Sequence, residues 1–194
     1  MNDMKNALVF CENRNLYVRK PNGLEYEFEN VDKPALGFEF DVVIYDDMET
    51  KILKWDPAIS FEEQEHIPLT EDEKAMCEQY IDNSEPPEGC NLHNQYANKL
   101  ADFVRGEHDE IAEIYGFNSL TTVLIAGREG SNHPLRGNAR RVLEYIDNTH
   151  TILYNVTDEI FATKEDLLQD FDHYVRQIPQ ATMATSHAEL GNNS

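Results

Sequence analysis

Basic residues are scarce in this chain: 16 lysines and arginines stand against 37 aspartates and glutamates, a formal net charge of −21 over 194 residues. So negative a surface repels nucleic acid phosphates and anionic lipid headgroups, which argues against a nucleic-acid- or membrane-binding role. It favours solubility, or docking onto a basic protein surface. Cysteine is scarce too. Cys11, Cys77 and Cys90 are an odd number and do not read as a disulfide framework. Long apolar runs are missing. The least polar stretch, Ser119 to Gly127, is far shorter than the ~20 residues needed to span a bilayer. The opening MNDMKNALVF has too short an apolar run for a signal peptide, so synthesis in a reducing cytoplasm is expected. Catalytic signatures are absent as well. Neither G-x-S-x-G nor a phosphate-cradling G-x-x-x-x-G-K-[ST] or G-x-G-x-x-G occurs; Gly127-Arg-Glu-Gly130 and Arg136-Gly137 match none of them. The chain reads as a non-enzyme that needs no metal and no cofactor.

What is present is an ordinary globular share of apolar residues, 40%, in two different periodicities. Within 1–60 the pattern is that of strands. NALVF, LYVRK, LEYEFE, FEFDVVIYDD and KILKW are short runs separated by turn signals at Pro21-Asn22-Gly23 and Asp46-Asp47. In LEYEFE, Leu24, Tyr26 and Phe28 alternate with three glutamates, the period of a strand with one wet face. Residues 61–90 read as an acidic connector with one helix, capped by Thr70 with Glu73 three residues on. Ten acidic residues and one lysine fall within 61–89, a solvated spacer or an electrostatic docking strip. Pro86-Pro87 closes it.

Residues 91–179 read as helices. Tyr96, Leu100, Phe103, Ile111 and Ile114 repeat at helical spacing, ended by Gly116. Ser119 can cap LTTVLIAG, and Pro134 suits the first turn of a longer helix lined by Val142, Ile146, Thr149, Leu153, Val156 and Ile160. A last helix, capped by Thr163, would carry Leu167, Leu168, Phe171, Tyr174, Val175 and Ile178. Residues 180–194 are small and polar and read as a flexible arm that orders on a neighbour, with Met183 and Leu190 as its only large apolar residues. The fold class is α+β: an N-terminal antiparallel meander followed by a C-terminal helical bundle.

Few residues invite chemistry. Cys77, Cys90 and His93 have a zinc-like flavour but lack a fourth ligand, so scattered free cysteines fit better. Asp41, ahead of an apolar run, fits the outward face of a strand. Asp46 and Asp47 lack the spacing of a calcium loop. Arg136, Arg140 and Arg141 form the one basic cluster. It is either a contact for a phosphate or an acidic partner, or, as the excess of carboxylates favours, a set of ordinary ion pairs. Trp55 either anchors the meander or stands in an interface. The partner-contacting candidates are therefore Trp55, Arg136, Arg140, Arg141, Met183 and Leu190.

Two stretches carry a family resemblance. YDDMETKILKWDP, followed by an acidic spacer and PLTEDEKAMCEQYIDN, resembles small tailed-bacteriophage proteins encoded near tail and fibre genes. NHPLRGNARRVLEYIDNTHTILYNV is similar in layout to the C-terminal helical module of tail-fibre-assembly-type proteins, although the late aromatic of that module is here Tyr154 or absent. The resemblance covers less than half of the chain. It implies a non-enzymatic structural or interaction protein of a phage particle, made in the host cytoplasm and located in the virion. Its partners would be other phage structural proteins in a multi-copy assembly, with no nucleic acid and no membrane. A tail-fibre assembly chaperone that leaves the particle, and an acidic DNA mimic that binds a basic host protein, are the alternatives.

Overall fold

The computed structural model describes residues 6–46 and 48–184, and the chain divides between Gln95 and Tyr96 into two compact units. The first unit holds a six-stranded sheet: β1 (Ala7–Phe10), β2 (Leu16–Arg19), β3 (Glu25–Phe28), β4 (Val42–Tyr45), β5 (Thr50–Lys54) and β6 (Glu65–Pro68). The order is β3-β2-β1-β4-β5-β6 with every neighbouring pair antiparallel. Two meanders thus meet through β1 and β4. The turns form where short-range chemistry directs them. Gly23 sits at φ +84°, a conformation that costs glycine little, and the Asn22 side chain accepts from Leu24 N. Asp46 Oδ1 accepts from Met48 N and Glu49 N, both at 2.7 Å, closing the β4–β5 turn.

Register places Leu8, Val18, Tyr26 and Tyr45 in one row of a single sheet face, and Phe10, Leu16, Val43 and Ile52 in the next. Helix α1 (Glu71–Asn83) is held to that face: Tyr45 donates to Glu78 at 2.6 Å, and Tyr26 hydrogen-bonds Ser84. Cys77 and Ile81 are its buried contacts. The start of α1 is the capping box that Thr70 and Glu73 predict, and Lys20 Nζ donates to the carbonyls of Ile81 and Asp82 at its end. Residues 61–90, expected as a connector, instead complete this unit. They supply a 3-10 turn at Phe61–Glu63, the sixth strand and α1. β6 escapes a pattern search because only Ile67 of its four residues turns toward protein, as happens on an edge strand. The opposite edge is closed. Gln95 accepts from Glu25 N and donates to Gly23 O, and Cys90 Sγ contacts Glu25 O at 3.6 Å.

The second unit is helical: α2 (Leu92–Ile114, from Tyr96 onward), α3 (Leu120–Gly127), α4 (Arg136–Ala162) and the short α5 (Phe171–Val175). Helices α2 and α4 run antiparallel. Asn138 reaches Tyr115 O, and His108 meets Thr149. On α2, Tyr96, Leu100 and Ile111 are buried as spaced, Ile114 is exposed, and Val104 and His108 take inner positions. On α4, Val142, Thr149, Val156 and Ile160 are buried. The expected last helix is broken. Thr163 terminates α4, its N–H donating to Glu159 and Ile160, and a 3-10 turn at Glu165–Leu167 precedes α5. Tyr174 decides this: its ring packs edge-on to Tyr96 and its hydroxyl accepts from Gln169 N, a tertiary fixture stronger than the propensity to continue. Among the described residues no helix is long and apolar enough to cross a membrane.

Of the expected arm 180–194, residues 185–194, Leu190 included, lie outside the described residues. Residues 180–184 belong to the fold. A helical turn at 181–184 buries Ala181 completely against Ile111, Val123 and Val142, while Glu107 accepts from Ala181 N and Tyr145 donates to Pro179 O at 2.6 Å. Small size, which suggested a free arm, is what lets Ala181 enter a core between helices.

Packing of α3 on α4 is equally tight. A Cβ on Gly127 would stand 2.6 Å from Leu143 Cδ1 and 3.6 Å from the Cβ of Ala139. We expect Gly127→Ala to lower stability by about 1–3 kcal/mol through overpacking, measured by chemical denaturation. A helix gain of up to about 1 kcal/mol over glycine offsets part of this, so a stabilised variant would show that Leu143 yields freely.

A second measurement concerns His108. It is buried, and its Nε2 lies 2.6 Å from Thr149 Oγ1, whose own proton goes to the Tyr145 or Ile146 carbonyl. Nε2–H therefore donates to Thr149. Burial, reinforced by His150, pushes the imidazolium down to about 4, against a smaller opposing pull from Asp109. The unfolded chain binds this proton near 6.5 and the folded one only near 4, so the unfolded state holds more protons in between. Stability then falls as pH drops from about 6.5 to about 4, by on the order of 3 kcal/mol. His108→Gln, which keeps a donor for Thr149 but cannot titrate, is expected to flatten that part of the stability–pH curve. An unchanged slope would assign the acid lability to other groups.

Candidate interaction surface

The corner made by α3 and the start of α4 collects the features that a protein contact needs. Ser119 Oγ accepts from Thr122 N and starts α3 as its position predicts. The apolar residues of the helix LTTVLIAG are not confined to one face. Val123 and Ala126 face inward, and Leu124 and Ile125 are left 58% and 54% exposed. Arg128 follows as its C-cap, three to four residues on, and so shares their side of the helix. On α4, Arg136 and Arg140 are one turn apart on the row that leads to Leu143, the side chain seated against Gly127.

The expectation that the excess of carboxylates would pair these arginines is corrected by the structure. Among the described residues, none of Arg128, Arg136, Arg140 and Arg141 forms an ion pair. Arg136 is half-buried, and its Nε is enclosed without a hydrogen-bond partner. The first turn of α4 contains no acidic residue, and its N-cap, Leu135, offers no side-chain cap. Positive charge at the positive end of a helix dipole is unfavourable, so an anionic group docked here would relieve both. Ten of the acidic residues fall within 61–89, which belongs to the first unit. Arg141 stands apart, lining a groove of about 340 Å3 with Glu144, Asn148, Tyr115 and Ala184.

The remaining candidates are scattered. Trp55 is half-buried just past the end of β5, in the first unit, and its backbone N–H donates to Asp41 Oδ2 at 3.1 Å. Asp41 is exposed, as a strand-flanking residue should be. Met183 is 63% exposed beside Arg176 and Gln180. Leu190 lies outside the described residues. Among the described residues no three His, Cys, Asp or Glu side chains come together as metal ligands: Cys77 is enclosed under α1 and Cys90 is turned to the Glu25 carbonyl. Burial, with Glu73 and Glu78 nearby, pushes the Cys77 thiol up to about 12 and leaves it protonated and inert.

Sequence reasoning passed over a second exposed apolar pair, Ile59 and Phe61, in the first unit. Their loop is pinned by the buried Gln64, which accepts from Asp56 N and donates to Asp56 O and Ile59 O. Phe61 packs edge-on to His66, with Lys51 Nζ 5.4 Å from its ring centroid. No family model, no curated protein and no solved structure matches this chain.

The three cysteines give a direct check on this geometry. A thiol reagent at neutral pH should modify the half-buried Cys11 and Cys90 in the native protein and reach Cys77 only on unfolding. Mass spectrometry finding Cys77 labelled alongside the others would contradict its enclosure.

Proposed function

We propose that the chain is a non-enzymatic structural and interaction protein of a tailed-phage particle, associated with the tail, fibre or baseplate. The two stretches that resemble tail-associated proteins supply the biological setting. The observation that carries a docking role is the α3–α4 corner, where Leu124 and Ile125 stand exposed, Arg128 follows them on α3, Arg136 and Arg140 lie on the start of α4, and none of the three arginines has an ion-pair partner among the described residues. An apolar centre with a charged rim is the anatomy of a protein interface. In a chain of net charge −21, keeping arginines uncompensated favours a partner that presents carboxylates.

Mass spectrometry of purified particles of the encoding virus tests the proposal. A virion component is expected at a fixed stoichiometry relative to the tail proteins. Presence in infected cells but absence from finished particles would replace this reading with that of an assembly chaperone. Capture of a basic host protein through the acidic surface would replace it with that of a DNA mimic.

A further inference from the structure

We infer that the α3–α4 corner of one copy docks on the Ile59–Glu65 segment of a second copy, joining the chains head to tail. The inference names the partner for the surface used above and rests on that reading. The two patches match in kind and oppose in charge. One offers Leu124 and Ile125 with Arg128 on the same side and Arg136 and Arg140 alongside. The other offers Ile59 and Phe61, 39% and 41% exposed, followed directly by Glu62, Glu63 and Glu65. Glu62 and Glu65 have no ion-pair partner among the described residues, and Lys54 faces Glu65 in register without closing one. Glu63 is held ionised, its carboxylate accepting from Ser60 N and Ser60 Oγ.

Both patches are rigid enough to recognise one another. Gln64 fixes the loop that presents Ile59 and Phe61, and α3 is seated on α4 through the buried Val123 and Ala126, with Gly127 close to Leu143. Pre-set surfaces lose less freedom on association. The contact also lies next to β6, whose outer edge the first unit leaves open, while Gln95 and Cys90 occupy the edge of β3. Two different patches on each copy make a heterologous contact, which generates a ring if the rotation closes and a filament if it does not. Net charge sets the conditions. At −21 each, copies repel at long range, so association requires enough salt to screen the whole-chain repulsion while the local pairs, closer than a Debye length, persist.

Sedimentation of the full chain over a range of concentrations at physiological salt tests this, with two reversal variants. Arg128→Glu/Arg140→Glu and Glu62→Lys/Glu65→Lys change only exposed positions. Each alone is expected to weaken self-association about tenfold or more, and an equimolar mixture of the two to restore heterotypic pairing. Lys33→Glu/Lys164→Glu, which shifts net charge as much as the arginine reversal but elsewhere, should associate nearly as the parent does. A parent chain that stays monomeric at all concentrations and salt levels overturns the inference, as does a reversal variant that assembles normally. A monomeric chain that is nevertheless found in purified particles would sink self-docking and leave the virion reading intact. Self-association through these residues by a chain absent from particles would do the reverse.

Discussion

The seat of α3 on α4 governs much of what this protein presents to its surroundings. Gly127 leaves no room for a methyl group between its backbone and Leu143, and Ala126 and Ala139 on the same contact are fully buried. Small residues let the two helices approach until only one side of α3 can be covered. Because the apolar residues of α3 are not confined to one side, covering one side leaves others in water, and Leu124 and Ile125 are the result. A wider helix spacing would have let larger side chains fill the gap and allowed α3 to roll. Tight packing in the core is thus what fixes an apolar feature on the surface.

The same unit pairs most of its interior polar groups and leaves several arginines without an ion pair. His108 and Thr149 are satisfied by each other and by the carbonyls of α4, and Glu107 and Tyr145 hold the backbone at Pro179 and Ala181. Each buried donor or acceptor left unmade would cost about 1–3 kcal/mol. The exposed Arg128 and Arg140 incur no such penalty, whereas the enclosed Nε of Arg136 does; all three remain uncompensated among the described residues although carboxylates outnumber basic residues more than twofold. Both units are net acidic, and the acidic excess is densest within 61–89.

The sheet shows how a single unit manages its two edges differently. The edge at β3 is stopped by side chains of Cys90 and Gln95, which take up backbone groups that would otherwise invite another strand. The edge at β6 relies on Glu65, His66 and the terminal Pro68, residues that discourage indiscriminate pairing without covering the strand. Beside it, the loop pinned by Gln64 offers Ile59 and Phe61.

Features set by neighbours along the chain were legible from the amino acids alone. The strands before Trp55, the turns at Gly23 and Asp46, the capping box of Thr70 and Glu73, the Ser119 cap and the α+β order all depend on contacts within a few residues. Features that depend on distant partners were not. β6 has no apolar alternation of its own and exists because β5 supplies a ladder. The last helix breaks because Tyr174 is anchored to Tyr96, and Ala181 is core because α2 and α4 leave a slot of its size. The arginines near 136 could be counted in the sequence, but whether a carboxylate reaches them is a question of three-dimensional distance. Likewise, the apolar run Val123 to Ala126 carries no phase to say which side faces water. Local propensities act over one or two turns of chain, whereas burial and charge pairing are settled only when remote segments meet.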